Sequence, residues 1–284
     1  MSDHDAPRKK TTVLSPEIHA VKRVLRRHHL HSVCESAHCP NIADCFGKGT
    51  ATFLVLGNVC TRDCRFCNIS HAEQLAPPDH EEPENIARAV AELGLRYVVI
   101  TSVTRDDLPD GGARHLARTI TAVRAKAEGT RIEVLTSDMQ GDPAALAVIA
   151  DARPDVFNHN VETVPRLYGT VRPQADYRRS LRVITFMKER GLATKSGFMV
   201  GLGESDEELR ALLDDLYAAG CDIVTIGQYF RPSHAHLPVD RDLTEEEFET
   251  LRAYGLSIGL REIYAGRFVR SSFNAAELFS ATLR

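Results

Sequence analysis

Six short apolar runs alternate with stretches long enough to be helices, and this alternation constrains the fold more than any other feature of the chain. The runs are Ala51–Gly57, Arg96–Ser102, Arg131–Leu135, Asp155–Asn160, Thr194–Val200 and Asp222–Tyr229. Each has the length and apolar character of a β-strand, and most are rich in β-branched residues. They are largely continuous rather than alternating, as expected when both faces of a sheet are covered. Helix-length segments follow at about 83–94, 112–128, 143–151, 177–190 and 205–219. Strands joined through helices run parallel. Another helix starts at Ser15-Pro16-Glu17 and carries Ile18, Val21, Val24 and Leu25 on one face. A last long helix is expected over Thr244–Tyr264, opened by the Thr244/Glu247 capping box. Six such units predict an α/β fold: a partial, open six-stranded (β/α)6 TIM-like barrel rather than a doubly wound sheet. A chain of 284 residues, 43% of them hydrophobic, can bury one core of that size. The expected division is an N-terminal extension over 1–50, the barrel over 51–265 and a C-terminal extension over 266–284.

Six of the seven cysteines lie between positions 34 and 67, in two unequal triplets. The first is Cys34-x4-Cys39-x5-Cys45 and the second Cys60-x3-Cys64-x2-Cys67. No run of apolar residues is long enough to span a membrane, and the N-terminus lacks the pattern of a signal peptide. A cytoplasmic chain is expected, in which thiols stay reduced and clustered cysteines bind metal rather than pair as disulfides. Zinc favours four ligands in pairs, and only Cys64 and Cys67 form such a pair, although His38 and His71 lie near. Iron–sulfur clusters accept the triplets more readily. Three thiolates on a [4Fe–4S] cube leave one iron open to a ligand, which suits an enzyme better than an electron carrier. The net charge of −4 gives no footprint for nucleic acid, though Lys22, Arg23, Arg26 and Arg27 share the polar face of the first helix. Polar residues recur near the strand ends, at Ser102, Asp138, Asn158 to Asn160, Lys195 and Gln228. In a parallel barrel the carboxyl ends of strands form the active-site rim. Cys221 stands apart and reads as a small buried hydrophobe.

The second triplet follows the first strand directly and has Phe66 before its last cysteine. In this it resembles the radical S-adenosylmethionine enzymes. With the first triplet and the C-terminal Arg270-Ser271-Ser272-Phe273, the chain resembles one family among them, the lipoyl synthases. TSVTRDDLPDGGA, FNHNVETV, KSGFMVGLGE and TIGQYFRPS extend the likeness over roughly residues 30 to 275.

The resemblance implies two [4Fe–4S] clusters and S-adenosyl-L-methionine. Cys60, Cys64 and Cys67 would hold the cluster that binds S-adenosylmethionine. Cys34, Cys39 and Cys45 would hold an auxiliary cluster that gives up its sulfur, with Ser272 as fourth ligand and Ser271 as the alternative. An alkoxide is a harder donor than a thiolate and suits a bond that must break. Arg270 would add charge-assisted hydrogen bonds. Contacts to S-adenosylmethionine would come from Phe66, from Ser102, Arg105 and Asp106 at the amino group, from Asn158, Asn160 and Glu162, from Lys195 at the carboxylate, and from Gly201 and Gly203 at adenine. The substrate would be an octanoyl chain amide-linked to a lysine of a lipoyl carrier domain, in a 2-oxoacid dehydrogenase E2 or a glycine cleavage H protein. Sulfur would enter at C6 and C8. A ferredoxin or flavodoxin would donate electrons and an iron–sulfur carrier would rebuild the auxiliary cluster, with no nucleic acid or membrane involved and the enzyme a monomer. Phe273 departs from the family, which has Tyr there. The alternatives are another radical sulfur-inserting enzyme of biotin-synthase type, a non-catalytic iron–sulfur carrier and a zinc-structured module.

Overall fold

The computed structural model describes residues 16–36, 41, 45 and 52–282. These fall into two compact units, one taking positions 16–62 and 68–157, the other 63–67 and 158–282.

The first unit opens with helix α1 (Pro16–Arg27), which buries Val21, Val24 and Leu25. A two-residue strand, β1 (His31–Ser32), and a short helix, α2 (Val33–Ser36), follow. Then come β2 (Thr52–Val55), β3 (Val59–Cys60) and β4 (Ser70–His71). The remaining elements alternate: α3 (Glu82–Leu93), β5 (Tyr97–Ser102), α4 (Ala113–Lys126), β6 (Arg131–Leu135), α5 (Pro143–Asp151) and β7 (Val156–Asn158), whose last residue is assigned to the second unit. β2 pairs parallel with β5, and β5 with β6, as helix-length connections require. β1 adds to β2 antiparallel, and β3 and β4 form a separate parallel pair. Every residue of β2 and the first five of β5 are buried, which is why these strands read as unbroken apolar runs.

The second unit holds α6 (Tyr168–Val171), α7 (Tyr177–Glu189), β8 (Ala193–Val200), α8 (Asp206–Ala218), β9 (Ile223–Gln228), α9 (Glu245–Ser257), β10 (Glu262–Gly266) and α10 (Ala275–Thr282). β8, β9 and β10 pair parallel. Leu209, Leu212, Leu213 and Leu216 recur at helical spacing on α8 and pack with Val224, Ile226 and Phe248. Capping boxes open α8 (Ser205 with Glu208) and α9 (Thr244 with Glu247).

All six expected strands are present. Two expectations need correction. The segment 244–264 is not one helix, because α9 stops at Ser257 and β10 follows. Gly259 makes the break. It sits at φ +110°, and a Cβ there would lie 2.8 Å from the Tyr217 ring. Lys195 is not at a carboxyl strand end either, being the third residue of the eight-residue β8.

Candidate functional site

In the first unit the chain leaves β2 through a turn at Leu56, φ +67°, and Gly57, φ +93°. A left-handed leucine is costly and persists only when its surroundings hold it. Here two buried charged side chains do so. Glu82 at the start of α3 accepts from Leu56 N at 2.8 Å, and Arg105 donates from Nη1 to Leu56 O at 3.1 Å. Glu82 also meets His115 Nε2 at 2.7 Å. Gly112 lets α4 approach, since a Cβ there would lie 2.3 Å from Leu56 Cδ1. That contact explains a glycine of the DGGA stretch.

Cys60 lies at the end of β3, and its sulfur accepts two backbone N–H groups, from Thr104 at 3.3 Å and Arg62 at 3.4 Å. Thr61 ties the same two loops together. Its N and Oγ1 both donate to Thr104 O at 3.0 Å, and Asp106 N donates to Thr61 Oγ1 at 3.0 Å. Arg62 is 4% exposed, yet its charge is satisfied. It donates from Nε and Nη2 to both oxygens of Asp106, at 2.6 and 3.0 Å, and from Nη2 to Asp138 at 2.6 Å. Burial opposes the charged form, but the hydrogen bonds and charges of the two carboxylates outweigh it and hold the guanidinium above its ordinary range. Arg105 is equally committed, bonding Leu56 O, Ala76 O and both Asp107 oxygens. Ser102, at the end of β5, differs, because its Oγ is buried and bonds nothing among the described residues.

In the second unit, Arg65 N donates to Val171 O at 3.0 Å, and Leu237 N donates to Arg65 O. His236 donates from Nε2 to Cys67 O at 3.0 Å, its Nδ1 accepting from Ser233. These bonds fix the Cys64–Cys67 loop, in which both cysteines are half-buried and neither forms a disulfide. Phe66 within it is half-buried. Asn158 and Asn160 meet the C-terminal motif. Asn158 Nδ2 donates to Ser271 Oγ at 3.0 Å, and Ser271 Oγ donates to Asn160 Oδ1 at 2.8 Å. Desolvation raises the Glu162 carboxyl above its ordinary range, opposed by Arg172, by a hydrogen bond with Asn160 and by Arg270.

The flanking residues of that motif are anchored too. Arg270 lies 4.8 Å over the Phe230 ring, which also packs on Phe268. The Phe273 ring stacks on Tyr264 with centroids 6.2 Å apart. A ring alone makes this contact, so loss of the usual hydroxyl leaves the stacking intact. Gly201 and Gly203 form a tight turn at φ +96° and +101°. The amides of Gly201 and Leu202 both donate to the Glu204 carboxylate, so they are already engaged. Lys195 is buried, and its carbonyl accepts from His159 N at 3.0 Å.

Residues 54–216 match the Radical SAM superfamily. The chain is 53% identical to the lipoyl synthase of Chlorobium chlorochromatii (strain CaD3), over 90% of this chain and 88% of that one. It is 54% identical to the lipoyl synthase of Chlorobaculum parvum (strain DSM 263 / NCIMB 8327), over 90% and 88%. The chain belongs to the lipoyl synthase family. Its fold is the radical SAM fold, an α/β architecture with a mostly parallel central sheet, consistent with a partial TIM-like barrel. Solved structures agree on the fold. Methylornithine synthase (PylB) superposes with a TM-score of 0.57 at 15% identity, over 92% of this chain and 85% of that one. The FeFe-hydrogenase maturase HydG from Carboxydothermus hydrogenoformans gives 0.55 at 15% identity, over 93% and 77%.

The residues of this family member suit the cofactors the family implies. A thiolate at Cys60 would have two N–H donors already aimed at it, and Ser102 offers an unused hydroxyl. Among the described residues no three His, Cys, Asp or Glu side chains are placed to hold one metal ion. A cube differs from a single ion, because each thiolate takes its own iron. Of the first triplet, Cys34 is buried and Cys45 half-buried, with Cys45 N donating to Asn41 O at 3.0 Å. Cys39 lies outside the described residues. Sequence reasoning missed Thr61, Arg62, Thr104, His236 and Phe230. The available signal for Arg62 was a cation inside the second cysteine triplet, facing a TRDD stretch later in the chain.

Proposed function

We propose that this chain is a sulfurtransferase that inserts two sulfur atoms, at C6 and C8, into an octanoyl chain amide-linked to a carrier lysine. The observation that carries this reading is the anchoring of the C-terminal motif. Arg270 is engaged by Phe230, Ser271 by Asn158 and Asn160, and Phe273 by Tyr264, while among the described residues Ser272 has no such contact. Held on both sides in this way, Ser272 is the fourth ligand of an auxiliary [4Fe–4S] cluster on Cys34, Cys39 and Cys45. Those ligands come from the N-terminal extension, 1–50, and the C-terminal extension, 266–284, flanking the barrel at 51–265.

Cys60, Cys64 and Cys67 hold the other [4Fe–4S] cluster. When bound there, the cluster would supply the one electron for reductive cleavage of S-adenosylmethionine, the source of the radical chemistry that an unactivated C–H bond requires. The chain's own residues position and shield. Ser102 meets a polar group of the methionine moiety. Asn158, Asn160 and Glu162 orient the cofactor edge nearest Ser271, and Arg270 presents its charge beside the sulfur-donating site. Arg105 and Asp106 act from behind, fixing the loops. Phe66 would pack beside the first cluster, Lys195 is a buried side chain of the β8 strand, and Gly201 and Gly203 shape the turn after it. The partners are an octanoylated lipoyl carrier domain, a small electron donor such as ferredoxin or flavodoxin, and an iron–sulfur carrier, in the cytoplasm. No helix among the described residues is long and apolar enough to cross a membrane.

Anaerobic reconstitution followed by incubation with an octanoylated carrier tests the reading. Expected are two [4Fe–4S] clusters by iron and sulfide analysis, cleavage of S-adenosylmethionine, and a mass gain on the carrier matching two sulfurs. One cluster with no cleavage would favour a carrier protein, and zinc without sulfide would exclude both.

A further inference from the structure

Arg62 has no role in the chemistry above, yet it is among the most deeply buried cations of the first unit. Burying a guanidinium is expensive unless its donors are met. Three short bonds to Asp106 and Asp138 meet them. One end of this triad is the backbone two residues past Cys60, and the others are the loops that follow β5 and β6. The triad therefore joins the cysteine loop to two strand ends. The same contacts set the surroundings of one sulfur. Arg62 N donates to Cys60 Sγ, and Thr104 N, held by the Thr61 bonds, donates to it as well.

We propose that Arg62, gripped by Asp106 and Asp138, is a positioning residue that keeps two backbone amides on the Cys60 sulfur and so tunes the reduction potential of the cluster bound there. Hydrogen bonds to a cluster's sulfurs favour its more negative, reduced state and raise its potential. The inference rests on the reading that Cys60 is a cluster ligand. It assigns Asp106 to the protein brace rather than to the methionine amino group.

The test uses the full chain with Cys34, Cys39 and Cys45 replaced by Ala, so that a single cluster titrates. Arg62→Gln, Asp138→Asn and Thr61→Val are compared with Arg62→Lys and Thr61→Ser. Expected in the first three are near-normal iron and sulfide, a midpoint potential shifted to more negative values, and, with an added electron donor of fixed potential whose reduction of the cluster limits the rate, a smaller reduced fraction and cleavage of S-adenosylmethionine slowed about tenfold. The KM for S-adenosylmethionine should hold. Arg62→Lys and Thr61→Ser should recover part of the potential. If Arg62→Gln fails to fold, Thr61→Val carries the test, because it deletes one hydroxyl without stranding a charge. Cluster-loaded variants with unchanged potential and cleavage rate would overturn the proposal while leaving the cluster reading intact. Equal iron in the parent and in its Cys60→Ala variant would overturn the cluster reading itself.

Discussion

Ser271 donates its hydroxyl to Asn160 Oδ1 at 2.8 Å while accepting from Asn158, so both sides of that oxygen are engaged by the segment around β7. Its neighbour Ser272 is half-buried and flanked by anchored residues. The two serines should therefore separate experimentally. Ser272→Ala is expected to abolish sulfur insertion while cleavage of S-adenosylmethionine continues. Ser271→Ala should slow insertion about tenfold, as loss of an outer-shell contact does. Quantifying lipoyl product and 5′-deoxyadenosine together checks both, and the opposite ranking would transfer the ligand role to Ser271.

Glu82 holds Leu56 N and meets His115, both in buried surroundings. Replacing it with Ala leaves an amide of a strained turn without an acceptor. An unmet buried group costs about 1–3 kcal/mol, so Glu82→Ala should lower the urea midpoint by a corresponding amount. An unchanged midpoint would mean that the turn is not held from this side.

Arg166 donates to both Glu208 oxygens, at 2.7 and 2.8 Å, and Ser205 N adds a third bond. Together, with Arg166 the larger influence, they bring the Glu208 carboxyl down to about 2. A lowered folded-state value contributes stability at pH above the ordinary carboxylate range, and that stability is lost as pH falls from about 4.5 towards 2. The pair is largely solvated, so water screens it and its contribution is small. Melting temperatures at pH 6 and pH 3 should differ less in Arg166→Gln than in the parent. The same acid-induced drop in both would remove this pair from the account.

Cys221 is buried two residues before β9, and its thiol donates to Ile223 O at 3.2 Å. Burial pushes the thiol up to about 12, so almost no thiolate exists at neutral pH. Iodoacetamide at pH 8 should leave Cys221 unmodified in the folded chain and label it in urea, as read by peptide mass. Labelling in the native state at the rate of an exposed thiol would contradict the structure.

Much of this was legible in the sequence, for identifiable reasons. Buried parallel strands such as Tyr97–Ser102 must be apolar on both faces, so they stand out as continuous runs. Capping boxes at Ser205 and Thr244 are local devices, visible over four residues. β10 was not legible because the apolar periodicity of α9 runs on through Ile258 and Leu260 into EIYAG, with only Gly259 to mark the stop. β1 exists through its pairing of His31 with Leu54 and carries no pattern of its own. At the site, the cysteines announce themselves by spacing. Arg62 and Thr61 acquire their roles from partners 43 to 76 positions away, which no local pattern encodes.

The Leu56 turn has a consequence for the timing of synthesis. Its two anchors, Glu82 and Arg105, lie 26 and 49 residues downstream. While the ribosome has made only the first part of the barrel, the turn has neither anchor, and Cys60 emerges before anything can hold its loop in place. Tens more residues must clear the exit tunnel before that loop can take its final form. A carrier delivering iron and sulfide to the nascent chain would meet a pliable peptide there, whereas one arriving after release would meet a shaped receptacle.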